Sequence, residues 1–95
     1  MVQREGKQPR IQELCVHLQM AYRHWQRNKP DQSIAEVEAA RSLINGELRN
    51  VQDAALLLDN LRVAQLAREK NQGELVVGAL ARAISHAEKM LRRTQ

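Results

Sequence analysis

Residues 33–70 read SIAEVEAARSLINGELRNVQDAALLLDNLRVAQLAREK, and this stretch decides the fold. Its apolar residues recur every three or four positions, as on one face of an α-helix. They are Val37, Ala40, Ile44, Leu48, Val51, Ala55 and Leu58. Because the stripe keeps its phase across Asn45 and Gly46, the sequence favours one continuous helix over residues 32–71. The alternative is a break at Gly46, since Asn-Gly is a turn signal and glycine costs about 1 kcal/mol inside a helix.

A shorter amphipathic helix is predicted on each side of this segment. The first covers about residues 9–28, starts at Pro9 and stops before Pro30, because the residue preceding a proline is biased away from helical geometry. The last covers about residues 74–93. Residues 1–8 show no apolar period and are expected to form a flexible basic tail.

Two capping patterns place the helix starts. Ser33 and Glu36 fit a capping box for the middle helix, and Asn71 with Glu74 fits a similar box for the last one. No convincing internal repeat is visible in the sequence.

The composition indicates one helical domain. The 95 residues are 43% hydrophobic but only 2% aromatic, with a net charge of +4 and a pI near 9.8. The longest apolar runs are about five residues, far short of the roughly 20 that span a bilayer. The polar start of the chain does not resemble a signal peptide. The single cysteine excludes an intramolecular disulfide and suits a reducing compartment, so a cytoplasmic location is expected.

The predicted fold is all-α: a three-helix antiparallel bundle with a long central helix, or a four-helix bundle if the middle segment breaks at Gly46. A continuous middle helix would be roughly 60 Å long, about twice its neighbours, so each neighbour covers one half of it. Apolar side chains surround residues 54–67, and a helix that is apolar all round is buried on all sides. We therefore expect self-association or a partner helix to complete the fold. The predicted partner-binding residues are Leu56, Leu57, Leu61, Val63, Leu66, Val76 and Leu80.

No pattern of catalytic or metal-ligating residues is found. His17 and His24 lie two helical turns apart, about 10 Å, which is too far to share one metal ion. Cys15 lies on the apolar stripe of the first helix, where a free cysteine is usually a small buried hydrophobe. The sequence has no phosphate-binding loop and no dinucleotide fingerprint. We expect no enzymatic activity, no cofactor, no metal and no small-molecule substrate.

Basic residues are concentrated in the amino-terminal third of the chain. A basic tail and helix face suit contacts with nucleic-acid phosphates, whereas the simpler interpretation is a solvated, charged surface. The candidate nucleic-acid contacts are Arg4, Lys7, Arg10, Arg23, Arg27 and Lys29.

Residues 21–43 resemble a tetratricopeptide helix pair. Ala21 and Tyr22 lie in the first predicted helix, and the small residues Ser33 and Ala40 lie seven positions apart in the second. The Trp-Leu-Gly-Tyr elements of that family are absent, and the next helix is too long for a second repeat. We interpret the resemblance as convergent helix packing and assign no family.

These features together predict a small, non-enzymatic interaction protein. It would bind a partner's amphipathic helix, or a second copy of itself, through an apolar helix surface. Adaptors, chaperones and antagonists of regulators all fit that description. The alternative is a nucleic-acid-binding regulator that uses the basic tail and the first helix. Insertion into a membrane surface is not expected, because the stripes lack interfacial aromatic residues.

Overall fold

Four α-helices account for most of the chain. The computed structural model describes the backbone of residues 2–94 and the side chains of residues 7–94. The helices are α1 (Val2–Gln26), α2 (Pro30–Asn45), α3 (Ala54–Glu69) and α4 (Gly73–Thr94). Residues 2–94 contain no strand, so the all-α prediction is confirmed. In that same part of the chain, no helix combines the length and hydropathy that crossing a membrane requires.

The helices pack closely on one another. Helix α1 lies against α2 and α4, and α3 lies against α4, while α2 and α3 touch less extensively. The radius of gyration is 12.8 Å. A compact domain of this length is expected to have about 12.4 Å, so the four helices share one core.

The middle segment is two helices, and the prediction of one continuous helix over 32–71 is wrong. Helix α2 ends at Asn45, and Gly46 turns the chain with φ −102° and ψ −105°. The amide of Gly46 donates to the carbonyl of Ser42 at 3.0 Å. A Cβ at Gly46 would lie 3.1 Å from that carbonyl oxygen, which is tighter than ordinary contact. The break at Gly46, the alternative weighed from the sequence, is what the structure shows.

The segment between α2 and α3 brings both stripes to one core. Leu48 within it is fully buried, and Asp53 adopts a left-handed conformation (φ 73°) immediately before α3. Burial then resumes at Ala54, Leu57 and Leu61, whereas Ala55 of the predicted stripe is exposed. The stripe that looked continuous in sequence therefore changes register at the break.

Helix α1 begins earlier than predicted. Its backbone is helical from Val2, with Pro9 inside the helix, so the predicted start of this helix at residue 9 is wrong. Met1 lies outside the described residues. Residues 2–8 are rich in Gln, Arg, Glu and Lys, which are good helix formers, and extending an existing helix requires no new nucleus. The other predicted ends of α1 and α4 agree with the structure within two residues.

Two asparagines end helices in the same way. Asn28 follows α1 with φ 60°, and Asn71 follows α3 with φ 58°. After α1, the amide of Lys29 donates to the carbonyl of His24 at 2.9 Å, and after α3 the amide of Gln72 donates to Ala67 at 2.8 Å. These are Schellman bonds, which satisfy the last carbonyls of a helix. The expectation that Asn71 caps the start of α4 is therefore wrong.

Ser33 also differs from its predicted role. It lies inside α2, fully buried, and its hydroxyl donates to the carbonyl of Ala21 at 2.7 Å. Helix α2 instead begins with Lys29 as N-cap and Pro30 as its first residue. Proline suits that position because the first amide of a helix has no intrahelical partner. Ser33 thus joins α2 to α1 through a buried hydrogen bond.

The two helix pairs α1–α2 and α3–α4 bury corresponding positions, a relation not seen in the sequence alone. The left-handed asparagines Asn28 and Asn71 occupy equivalent places in the two turns. Buried residues recur at the same offset in residue number. The buried pairs are Ile11 and Ala54, Leu14 and Leu57, Leu18 and Leu61, Ala21 and Ala64, Ser33 and Val76, Val37 and Leu80, Ala40 and Ala83, and Ile44 and Ala87. We call the end of the molecule that carries both asparagine turns the turn end.

Replacing Asn71 tests the left-handed turn. Alanine in this conformation costs about 1–2 kcal/mol because its Cβ crowds the following carbonyl, whereas glycine has no such penalty. We expect Asn71→Ala to lower the melting temperature by about 4–8 °C for each kcal/mol of stability lost. Asn71→Gly should preserve the melting temperature. Thermal unfolding followed by circular dichroism measures both. Asn50→Ala is the matched control, because Asn50 is exposed and is not left-handed. Equal effects of Asn71→Ala and Asn71→Gly would contradict the assignment.

Candidate functional site

The seven predicted partner-binding residues divide into two groups. Leu57, Leu61, Val76 and Leu80 are fully buried, and the prediction that they face a partner is wrong. They form part of the protein's own core because they lie on the faces along which α3 and α4 pack. The other three are exposed: Leu56 to 53%, Val63 to 43% and Leu66 to 53%.

A fourth exposed aliphatic side chain lies on α4. Leu75 is 49% exposed, and it is not among the residues predicted from the sequence to bind a partner. The next residue, Val76, is fully buried, as are Ala79 and Leu80. Leu75 therefore lies outside the core face of α4. Its signal in the sequence is the apolar run that it forms with the next two residues.

Contacts between α3 and α4 locate these exposed residues. Arg82 of α4 donates from Nε to Oδ1 of Asn60 at 3.2 Å. Asn60 in turn donates to the carbonyl of Leu56 at 3.1 Å and lies between Leu56 and Val63 on α3. The open side of Gly78 faces the Arg82 guanidinium. Leu56 and Val63 therefore lie about one helical turn on either side of the residue through which α3 contacts α4. We define the α3–α4 surface as these two residues together with Leu66, one turn beyond Val63 on α3, and Leu75 on α4.

The candidate nucleic-acid contacts do not form one surface. Arg10 donates from Nε to Glu47 at 2.9 Å and from Nη1 to Glu13 at 2.8 Å. These carboxylates raise the pKa of Arg10 and neutralise its charge locally. Lys7 donates to the backbone carbonyl of Glu47 at 3.5 Å. The side chain of Arg4 lies outside the described residues.

The remaining basic candidates lie towards the other end of α1. Arg23, Arg27 and Lys29 are exposed at or just after the end of that helix. Arg23 is about 20 Å from Arg10 along the helix axis. The candidate nucleic-acid contacts therefore fall into two separate groups. In one of them, Arg10 already forms salt bridges with Glu13 and Glu47.

His17 contacts carboxylates of α1 and α2, and Cys15 is partly buried, so the surroundings of both side chains suit a structural role. His17 Nδ1 lies 2.6 Å from Glu36 Oε1, a contact that joins α1 to α2. Its Nε2 lies 3.7 Å from Glu13 Oε2 on the same helix. Cys15 is partly buried. Burial, and secondly the charge of Glu88, raise the pKa of its thiol, which disfavours the reactive thiolate. Among the described residues, no three His, Cys, Asp or Glu side chains are grouped to hold a metal ion.

Asp53 links the segment before α3 to the last turn of α4. Its Oδ2 accepts a hydrogen bond from Arg93 Nη2 at 2.7 Å. This hydrogen bond is the main cause that holds the pKa of Asp53 below its usual value, followed by the charge of Arg93 and then by those of His86 and Lys89. The contact fixes the end of the chain against the start of α3.

Comparison of the chain with known protein families, with curated proteins and with solved structures found no match.

Truncating a buried and an exposed leucine tests the division of the predicted residues. Leu61→Ala should lower the free energy of unfolding by about 2–5 kcal/mol because it leaves a cavity in the core. Leu66→Ala should change it by no more than about 0.5 kcal/mol. Urea unfolding of both variants measures the difference. A large loss for Leu66→Ala in the monomer would show that this residue belongs to the core.

The ion pair of Asp53 predicts a pH dependence. A carboxyl whose pKa is lower in the folded state stabilises the fold above its unfolded pKa, near 3.8, and this contribution is lost as the pH falls through the folded pKa. Asp53→Asn should therefore lower the melting temperature at pH 7, and the difference should shrink as the pH falls below 3.8. Asp59→Asn is the control, since Asp59 has only a 3.8 Å contact with Arg62 on the same exposed face. A loss of stability that is the same at every pH would rule out the electrostatic explanation.

Proposed function

We propose that this chain is a small, non-enzymatic helical interaction protein. In this proposal the four helices form an antiparallel bundle, and the α3–α4 surface binds a second copy of the chain or the amphipathic helix of a partner. The proposal places it in the cytoplasm, as its single cysteine suggests. Adaptors, chaperones and antagonists of regulators all act through surfaces of this kind.

Residue pairings support the antiparallel arrangement. Between α1 and α2, Arg10 pairs with Glu47 just beyond α2, His17 with Glu36, and the carbonyl of Ala21 with Ser33. Residue numbers thus rise along α1 while they fall along its neighbour.

The observation that carries the proposal is the α3–α4 surface itself. Four large aliphatic side chains, each 43–53% exposed, lie on two adjacent helices. Fully burying one such side chain contributes about 1.5–3 kcal/mol, so half-exposed ones leave roughly half of that unused. In a two-fold dimer the same patch is buried on both copies, which doubles the gain.

Charges beside the surface suit pairing with a second copy. Asp59 and Arg62 lie next to each other on α3 and are 70% and 60% exposed. An antiparallel pairing of two α3 helices centred between them sets Asp59 of each copy opposite Arg62 of the other. Such complementarity favours one register of association over others.

A double substitution tests the surface. Leu56→Glu with Val63→Glu should convert a self-associated protein to a monomer, because two charges would be buried without partners. Both positions are exposed, so the helical circular dichroism signal should be unchanged. Sedimentation over a range of protein concentrations measures the mass. Val16→Glu is the matched control: Val16 is 56% exposed on α1, a helix that does not pack against α3.

A second measurement separates the two occupants. If the wild type sediments as a monomer at high concentration, self-association is contradicted, and the partner form is tested by affinity pull-down. A helical protein retained by the wild type and by Val16→Glu, but not by the double variant, supports the proposal. Equal retention by all three chains contradicts it.

A further inference from the structure

The turn end contains a cavity of about 320 Å³. It is lined by Trp25, Pro30, Arg68, Asn71 and Gly73. These residues come from the Asn71 turn and from one end of each of the four helices. The volume lies at the lower end of the range found for small-molecule sites, about 300–1,000 Å³.

One wall of the cavity carries an incompletely bonded cation. The Nε atom of Arg68 is buried and has no hydrogen-bond partner among the described residues. The Arg68 guanidinium also contacts the carboxylate of Asp31 through Nη2. The side chain of Asp31 is 91% exposed, and pairs with such solvated carboxylates are weak. The Arg68 side chain is itself 36% exposed, so its guanidinium can be reached from the cavity that it lines.

Apolar ring surfaces also line the cavity. The Trp25 ring packs partly against the core, and Pro30 adds a second ring surface. Gly73 keeps this space open: a Cβ there would lie 3.5 Å from Trp25 Cζ2. Helix α4 begins at Gly73, so the first amides of that helix, which lack intrahelical acceptors, lie at the cavity margin. The lining therefore combines a cation with flat apolar surfaces.

We propose that this cavity binds a small carboxylate that carries an aromatic ring. The carboxylate accepts hydrogen bonds from Arg68, the strongest geometry available to a guanidinium, and competes with Asp31 for it. The ring packs against Trp25 and Pro30, since aromatic side chains favour offset or edge contacts with other rings. The site is separate from the α3–α4 surface and does not depend on its function.

Trp25 provides a direct measurement, because it is the only tryptophan in the chain. The full-length protein is titrated with benzoate, with neutral benzamide, and with inorganic phosphate, which is anionic but has no ring. Trp25 fluorescence and the NMR signal of its indole N–H are followed. We expect saturable binding of benzoate at concentrations at least tenfold lower than either of the other probes requires. No saturation by benzoate, or equal binding of benzamide or phosphate, would overturn the proposal.

Substitutions separate the two halves of the site. Arg68→Gln should weaken benzoate binding at least tenfold, while Arg49→Gln, which removes an exposed arginine from the segment between α2 and α3, should leave it unchanged. Gly73→Leu should also abolish binding, because it fills the cavity and retains the guanidinium. Circular dichroism melting identifies the folded variants. If Arg68→Gln does not fold, Gly73→Leu decides the matter, and wild-type affinity in any folded cavity variant contradicts the proposal.

Discussion

The close approach of the Gly46 backbone to the carbonyl of Ser42 sets the path of the whole chain. A side chain at this position would crowd that oxygen, and the backbone angles there are not helical. The chain therefore leaves α2, buries Leu48, and enters α3 through the left-handed Asp53. Because of this change of direction, the apolar stripes of both helix pairs face a single core. Burial of aliphatic side chains, the main source of stability, depends on that convergence.

The existence of the helices could be predicted from local sequence, but their ends and facing could not. The stripe from Val37 to Ile44 is real, yet its continuation through Ala55 arose because the intervening residues happened to keep a helical period. Helix propensity alone does not decide whether Asn45 and Gly46 stay helical, since the cost of one glycine is small against tertiary packing. Ser33 shows the same limit, because its hydroxyl bonds to α1 across the core instead of to its own helix.

The candidate surface was only half predictable for a related reason. Leu56 and Leu57 are adjacent and chemically identical, and one is half-exposed while the other is fully buried. The two side chains point in directions about 100° apart around the helix axis. The position of α4 determines which of them is buried. An apolar helix segment therefore indicates that much surface must be covered, but the protein's own helices cover part of it first.

The scarcity of aromatic residues connects the core with the turn end. Small side chains such as Ala64, Ala79 and Ala83 let the helices approach closely, so ring-sized spaces are not needed between them. The Trp25 ring packs only partly against that core, and it lies where α1 ends and the helices give way to turns. The cavity beside Arg68 therefore lies at the end of the closely packed helices, and the Trp25 ring forms part of its wall.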